Sequence, residues 1–154
     1  MRLASGSASG GYVALEGATK DLDPPFGVLD VRALSSNAFD MLRRANGTTI
    51  RVASKSIRSR AVLRAALALD GFAGILAYTL PEALWLATEF DDIVVGYPTV
   101  DRAALRTLAA DPALAARITL MIDSVEHLDL IAAGAGGTEL RVCIDIDASL
   151  EFAK

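Results

Sequence analysis

The stretch TTIRVASKSIRSR, residues 48–60, decides between the folds open to this chain. Its apolar part, residues 50–53, is a short run with β-branched side chains, which predicts a buried β-strand. The run ends almost directly on Lys55, with Arg58 and Arg60 close behind it. A lysine at a strand end is commonly a solvated side chain, and the alternative interpretation is that Lys55 performs chemistry.

The same order, a short apolar run followed by helical spacing, recurs along the chain. The predicted strands are residues 26–31, 50–54, 72–78, 92–97, 117–123 and 139–147, and the predicted helices are 33–45, 57–69, 80–89, 101–110 and 124–133. Continuously apolar strands are typical of parallel sheets that are covered on both faces. The repeated strand–helix units therefore indicate an α/β fold.

Two α/β architectures differ in the residues that come directly after each strand. A doubly wound nucleotide-binding fold carries a glycine-rich turn after its first strand. No such turn follows residues 26–31 or 50–54, and GAGG at 134–137 precedes a strand instead of following one. A (β/α) barrel places functional groups at the C-terminal ends of its strands. Polar residues stand at those positions here: Lys55, Tyr78, Thr79, Tyr97, Thr99, Asp123, Ser124, Asp145 and Asp147. The pattern favours the barrel.

The number of units limits how much of a barrel the chain forms. A complete barrel needs eight strand–helix units over ~250 residues, and only about five units follow residue 50. We predict a partial TIM-type (β/α) barrel in residues 25–154, with parallel strands and outer helices, incomplete at the C-terminus. Residues 1–24 begin rich in glycine and serine, which predicts a flexible leader.

Composition and charge exclude several classes of function. With 154 residues, 53% of them hydrophobic, the chain is long enough for one domain with a sizeable core. A net charge of -4 gives no reason to expect nucleic acid or an anionic membrane as a partner. Charged residues interrupt the apolar span 61–88, so we expect no membrane-spanning helix. The lack of a signal-peptide pattern predicts a cytoplasmic protein.

The single cysteine and the single histidine limit the chemistry further. Cys143 excludes an internal disulfide framework, and its apolar surroundings predict a buried structural thiol. His127 excludes a multi-histidine metal site. The sequence shows no motif for a serine or cysteine nucleophile that could pair with a histidine base, so a catalytic role for His127 is not favoured.

Four segments carry a resemblance to a known family. They are IRVASKSIRSR (50–60), GILAYTLPEALWLA (74–87), VVGYPTVD (94–101) and ITLMIDSVEHLDLI (118–131). Together they resemble the N-terminal barrel domain of alanine racemase-like, fold type III pyridoxal-phosphate enzymes. Within that group they are most similar to the amino-acid deaminase/aldolase branch, which is related to D-threonine aldolase and D-serine dehydratase. The resemblance runs from about residue 25 to residue 150.

The resemblance implies a role for Lys55. In this family the lysine that ends the first barrel strand forms the internal aldimine with pyridoxal phosphate, and Lys55 occupies that position. A lysine must be neutral to attack the cofactor, so we expect Arg58 and Arg60, at a partly desolvated barrel mouth, to lower the pKa of Lys55.

The resemblance also implies an activity, for which alternatives stay open. The expected parent reaction is lyase chemistry on a small β-hydroxy D-amino acid, either retro-aldol cleavage or dehydration with ammonia release. The alternatives are an amino-acid racemase, a pyridoxal-phosphate carrier barrel without turnover, and an inactive fragment. The full-length parent is expected to be a monomer or homodimer and could bind a divalent metal, for which this chain offers no ligands. We do not expect the chain to be active alone, because an arginine typical of the family after residue 147 is missing.

Four further residues are candidate cofactor contacts. Tyr78 and Tyr97 either line the site or cap the barrel core. Asp123 either hydrogen-bonds the cofactor or caps the following helix. Asp147 alternates with apolar residues on its strand and shares a face with Asp145. We predict that Lys55 and these four residues converge at one end of the sheet.

Overall fold

A computed structural model of the chain describes residues 11–149. The chain divides into two compact units at the Asp40–Met41 bond. The first unit contains helix α1 (Gly11–Thr19) and most of helix α2 (Val31–Ala45). The second contains strands β1 (Ile50–Ala53), β2 (Phe72–Ala77), β3 (Ile93–Val95), β4 (Ile118–Ile122) and β5 (Arg141–Ile144). Its helices are α3 (Arg60–Leu67), α4 (Leu80–Leu86), α5 (Arg102–Ala109), α6 (Pro112–Arg117) and α7 (Val125–Ala135).

The five strands form one parallel sheet in the order β1-β2-β3-β4-β5. Each strand therefore pairs with its neighbour in the sequence, and at least one helix lies between each pair. This sequential order is that of a (β/α) barrel, because a doubly wound sheet reverses its strand order at a switch point. The structure confirms the predicted α/β class and the partial barrel.

Apolar side chains from strands and helices form the core of this unit. Ile75, Ile93, Ile118 and Leu120 of the strands and Leu105 and Leu108 of α5 are fully buried. Leu105 and Leu108 are three residues apart and so lie on one face of α5. Burying one such side chain stabilises the fold by roughly 1.5–3 kcal/mol. The core thus holds the helices against the sheet and fixes where each strand ends.

Side-chain caps begin several helices directly after a strand. The Thr79 hydroxyl accepts the Glu82 amide at the start of α4, and the Ser124 hydroxyl accepts the His127 amide at the start of α7. The Asp101 carboxylate accepts the amides of Ala103 and Ala104 in α5. Each cap is worth about 1 kcal/mol. Because Thr79 and Ser124 follow β2 and β4 closely, these caps also fix the short segments at the C-terminal ends of those strands.

The predicted strand at residues 26–31 is wrong. Residues 24–30 have no helix or strand, and Val31 already belongs to α2. The Asp30 carboxylate accepts the amides of Arg32 and Ala33 at 3.0 Å each, and this cap favours a helix start at that point. The apolar run that suggested a strand is half exposed, at Phe26, Val28 and Leu29.

Two helices were not predicted. Helix α1 lies inside the predicted leader and has no buried side chain; flexibility of the leader stays a prediction, and residues 1–10 lie outside the described part of the chain. Helix α6 begins just after the predicted helix 101–110, because Asp111 accepts the amides of Ala113 and Leu114 and Pro112 occupies the first helical position. Among residues 11–149, no helix is long and apolar enough to cross a membrane.

Candidate active site at the strand ends

A single turn of 3-10 helix, Ser54–Ser56, ends β1 and presents Lys55. Ser54 is fully buried, and its hydroxyl donates to the Leu76 carbonyl of β2 at 3.2 Å. The Ser54 carbonyl in turn accepts the Ile57 and Arg58 amides at 3.0 and 2.8 Å. These bonds tie the turn to the neighbouring strand, so the position of the Lys55 backbone is set by the sheet.

Two tyrosines stand at the ends of the next two strands. Tyr78 directly follows β2, and Tyr97 follows β3 after Gly96. Their rings meet edge to face, with centroids 5.4 Å apart and an interplanar angle of 82°. Such T-shaped pairs are favourable because the ring edge is positive and the face negative. The pair forms one aromatic wall at the C-terminal end of the sheet.

The backbone around the tyrosines is held from both sides. The Tyr78 amide donates to the Glu82 carboxylate at 2.8 Å, which joins it to the start of α4. The Gly96 amide donates to the Ala77 carbonyl at 2.8 Å. A Cβ at Gly96 would stand 3.1 Å from a methyl carbon of Leu76 and 3.3 Å from that carbonyl oxygen. Glycine at position 96 therefore allows the Tyr97 segment to approach β2 closely.

Lys55 reaches this aromatic pair. Its Nζ donates to the Tyr97 hydroxyl at 3.1 Å and lies 5.3 Å from the Tyr97 ring centroid and 5.8 Å from that of Tyr78. Both ring distances are within the range of cation–π attraction. The structure thus brings together three of the five predicted site residues.

The pKa of Lys55 differs from the sequence expectation. The hydrogen bond to Tyr97 and the charge that Tyr97 can carry raise the pKa of Lys55 above 10.5 and outweigh desolvation. The expected lowering by arginines is wrong because neither guanidinium is aimed at the amine. Arg58 donates to the Lys55 carbonyl, and Arg60 lies 4.6 Å over the Trp85 ring, with its Nη1 3.6 Å from the Glu89 carboxylate.

Asp123 and Asp147 also follow their strands but have other contacts. Asp123 is exposed and does not cap α7, since Ser124 does. Asp147 is exposed, and its carboxylate accepts the Ser149 hydroxyl and amide, which lowers the pKa of Asp147. Since the strands are parallel, both aspartates lie beyond the same end of the sheet as Lys55. Among residues 11–149, neither aspartate forms a hydrogen bond or an ion pair with Lys55, and their role in a site stays a prediction.

A cavity of about 220 Å³ opens beside the aromatic pair. Its lining consists of Tyr78, Thr79, Leu80, Val95, Tyr97, Pro98 and Thr99. Small-molecule pockets commonly measure roughly 300–1,000 Å³, so a ligand of cofactor size would extend beyond it, toward the strand ends. Thr99 and Pro98 belong to the loop after β3, and the sequence pointed to Thr99 but not to Pro98.

A larger cavity, of about 290 Å³, lies at the opposite end of β2 and β3. Its acidic residues are paired: Asp91 lies 3.1 Å from Arg117, and Asp92 lies 3.0 Å from Arg51. The first pair joins the residues that precede β3 and β4, and the second joins β1 to the residue that precedes β3, across β2. Because parallel α/β folds bind ligands at the C-terminal ends of their strands, the smaller cavity is the candidate site.

Cys143 and His127 do not line the cavity. Cys143 is half-buried, not fully buried as predicted. His127 is buried in α7, and its Nε2 lies 2.7 Å from the Thr99 carbonyl oxygen. In the described part of the chain, no group of three or more histidine, cysteine, aspartate or glutamate side chains is placed to hold a metal ion.

Comparisons with known proteins agree with the fold. The family model of the alanine racemase N-terminal domain matches residues 29–151. Among solved structures, D-threonine aldolase from Filomicrobium marinum matches with a TM-score of 0.71 and 24% sequence identity. The match covers 82% of this chain and 35% of that chain, so this chain spans little more than a third of the aldolase. A comparison with curated protein sequences gave no match.

Proposed function

This chain belongs to the alanine racemase N-terminal domain family, and on that premise we propose that it is the lysine-bearing part of a pyridoxal-phosphate-dependent amino-acid lyase. Enzymes of this family use pyridoxal phosphate, and Lys55 is the residue proposed to carry it. The proposed substrates are β-hydroxy D-amino acids, cleaved in a retro-aldol reaction or dehydrated with release of ammonia. The four segments that resemble the deaminase/aldolase branch support a lyase over a racemase.

The observation that carries the proposal is the position of the Lys55 amine. It lies at the C-terminal end of β1, 3.1 Å from the Tyr97 hydroxyl and beside an aromatic wall. Lys55 is exposed, so an aldehyde can approach it. A primary amine, two aromatic rings and nearby hydroxyls are a donor set that suits a flat, aldehyde-bearing aromatic cofactor. The residues present therefore fit the group that the family implies.

The hydroxyls of the cavity can contribute donors for an anionic ligand. Thr79 uses its oxygen to accept the Glu82 amide, and Thr99 uses its oxygen to accept the Asp101 amide at 3.2 Å. Each hydroxyl keeps its own O–H, because accepting a bond does not consume the donor. We propose that Thr79 and Thr99 offer these O–H groups to the cofactor or to the substrate carboxylate.

Tyr97 controls the proton on the amine. In the ammonium form, Lys55 donates to the Tyr97 oxygen; in the neutral form, the same hydroxyl can donate to the amine. Lys55 is nucleophilic only when neutral, and the raised pKa keeps it protonated near neutral pH. Release of a proton from Nζ is therefore the step that precedes attack on an aldehyde. Bound pyridoxal phosphate supplies an electron-withdrawing ring that stabilises negative charge on the α-carbon of the substrate.

Covalent trapping tests this function directly. The chain has three lysines, Lys20, Lys55 and Lys154, so each labelled peptide identifies one of them. We expect pyridoxal phosphate followed by borohydride to label Lys55 first, with loss of that label in Lys55→Ala and no change in the matched control Lys20→Ala. Equal rates of labelling at Lys20 and Lys55 would refute the assignment.

The products distinguish the proposed reactions. From D-threonine, retro-aldol cleavage gives glycine and acetaldehyde, whereas dehydration gives ammonia and a 2-oxo acid. Interconversion of D- and L-alanine would instead identify a racemase. Labelling of Lys55 by pyridoxal phosphate without formation of any of these products would favour a pyridoxal-phosphate carrier without turnover. The proposed full-length enzyme is the protein to assay for this.

A further inference from the structure

His127 is a polar residue that the proposed chemistry does not use, although it is buried beside the candidate site. It lies in the first turn of α7, 7% exposed, with Nε2 2.7 Å from the Thr99 carbonyl oxygen. A carbonyl oxygen can only accept a hydrogen bond, so Nε2 must carry the proton and donate it. In the neutral ring, Nδ1 is then without a proton; it is buried and has no hydrogen-bond partner among the described residues.

The Thr99 carbonyl belongs to the loop that carries Tyr97. Thr99 and Tyr97 are separated only by Pro98, whose ring fixes its backbone φ angle and makes the segment stiff. All three residues line the cavity. A hydrogen bond at the Thr99 carbonyl therefore restrains the path of the chain two residues from the tyrosine that holds the Lys55 amine.

The rest of this loop is held at its two ends. The Gly96 amide donates to the Ala77 carbonyl at the β3 end, and the Asp101 amide donates to the Thr99 hydroxyl at the α5 end. The His127 contact acts in between and comes from α7, which follows a different strand. This hydrogen bond therefore joins α7, the helix after β4, to the loop between β3 and α5.

From these contacts we propose that His127 is a positioning residue: its Nε2–H holds the Thr99 carbonyl and thereby keeps the Tyr97 hydroxyl against the Lys55 amine. The inference rests on the proposed function of Lys55 as the reactive amine. Among residues 11–149, His127 forms hydrogen bonds with Ser124 and Thr99 and none with Lys55 or Tyr97. It acts through the loop.

Two substitutions separate the hydrogen bond from packing. His127→Gln keeps an N–H donor near the position of Nε2, whereas His127→Met has a similar length and no donor. The readout is competitive acetylation of Lys55 against Lys20 as internal reference, between about pH 8 and 12, which brackets the unperturbed lysine pKa. This readout needs no cofactor, so its outcome is independent of whether Lys55 binds pyridoxal phosphate.

We expect His127→Met to increase acetylation of Lys55 relative to Lys20 by about two- to fivefold near pH 9, because each unit of pKa changes the neutral fraction about tenfold. His127→Gln should retain the wild-type ratio of Lys55 to Lys20 acetylation. Tyr97→Phe, which removes the hydroxyl itself, should give the largest increase in that ratio. An unchanged ratio in a folded His127→Met variant overturns the proposal. An equal change in both His127 variants also overturns it, since packing would then be the cause.

The tautomer of His127 in the wild-type chain gives a test that does not depend on a variant folding. Two-bond ¹⁵N–¹H correlation spectra distinguish the two neutral tautomers of histidine. We expect the proton on Nε2. A proton on Nδ1 would show that the ring does not donate to Thr99, and the proposal would fail.

Discussion

The Lys55 amine and the Tyr97 hydroxyl are joined by a 3.1 Å hydrogen bond across 42 residues of sequence. Lys55 belongs to the turn after β1 and Tyr97 to the loop after β3, so β2 and its own strand-end tyrosine lie between them in the sheet. The two side chains bridge over that strand and meet beside the Tyr78 ring. This contact is the centre of the candidate site and raises the pKa of its lysine.

Removing the Tyr97 hydroxyl should make Lys55 more reactive. The pKa of Lys55 is raised in the folded chain, so the contact stabilises the fold below pH 10.5 and is lost as pH rises through the folded pKa. In Tyr97→Phe we expect the pKa to fall back toward 10.5 and the acetylation profile of Lys55 to move to lower pH. Tyr12→Phe, at an exposed position in α1, is the matched control. A profile that is unmoved in Tyr97→Phe would contradict the hydrogen bond.

A side chain at Gly96 should disturb both the fold and the site. The added Cβ of Gly96→Ala would stand 3.1 Å from Leu76 and 3.3 Å from the Ala77 carbonyl oxygen, a backbone atom that belongs to the paired strand β2. We expect a loss of about 1–3 kcal/mol in the free energy of unfolding, as for other overpacked positions. Denaturant unfolding measures it. At Gly27 a Cβ would meet nothing within 4 Å, so Gly27→Ala is the control and should be near neutral.

The Ser54 hydroxyl should matter more than the Ser56 hydroxyl of the same turn. Ser54 is buried and donates to the Leu76 carbonyl, whereas Ser56 is exposed. Loss of one such buried bond costs roughly 0.5–1.5 kcal/mol. We expect Ser54→Ala to lower the free energy of unfolding by that amount and to slow borohydride-trapped labelling of Lys55. Equal effects of Ser54→Ala and Ser56→Ala would show that the bond to β2 does not hold the turn.

The carboxyl group of Asp147 should titrate below its usual range. Hydrogen bonds from the Ser149 hydroxyl and amide favour the carboxylate, so their stabilisation is present above pH 3.8 and is lost as pH falls through the folded pKa. Ser149→Ala removes the larger cause, and we expect the pKa of Asp147 to rise toward 3.8. Carbon-13 NMR titration of the side-chain carboxyl group measures the shift. No difference between Ser149→Ala and the wild type would contradict the contact.

The sequence by itself determined the class of fold and, to within about three residues at each end, the positions of the five sheet strands. Short apolar runs and the 3.6-residue helical period depend only on neighbours along the chain, so β1 to β5 and helices α2, α3, α4, α5 and α7 all overlap predicted segments. It also placed Lys55 at a strand end, since that depends only on where an apolar run stops. The same local reasoning failed at residues 26–31, where an apolar run has no neighbouring strand in the described sheet and a capping aspartate starts a helix instead.

Tertiary structure alone decided which strand-end groups meet. Lys55 touches Tyr97 and not Asp123, because strand register, the turn held by Ser54 and the close approach at Gly96 together aim the side chains. It also reversed the expected direction of the Lys55 pKa shift, because Arg58 and Arg60, near in sequence, point to other partners. The bond from His127 to Thr99 has no signal in the sequence, since a histidine in a helix shows neither its burial nor which loop its ring faces. A hydrogen bond requires its two heavy atoms to lie about 3 Å apart, and distances of that precision between residues far apart in sequence are set only when the chain has folded.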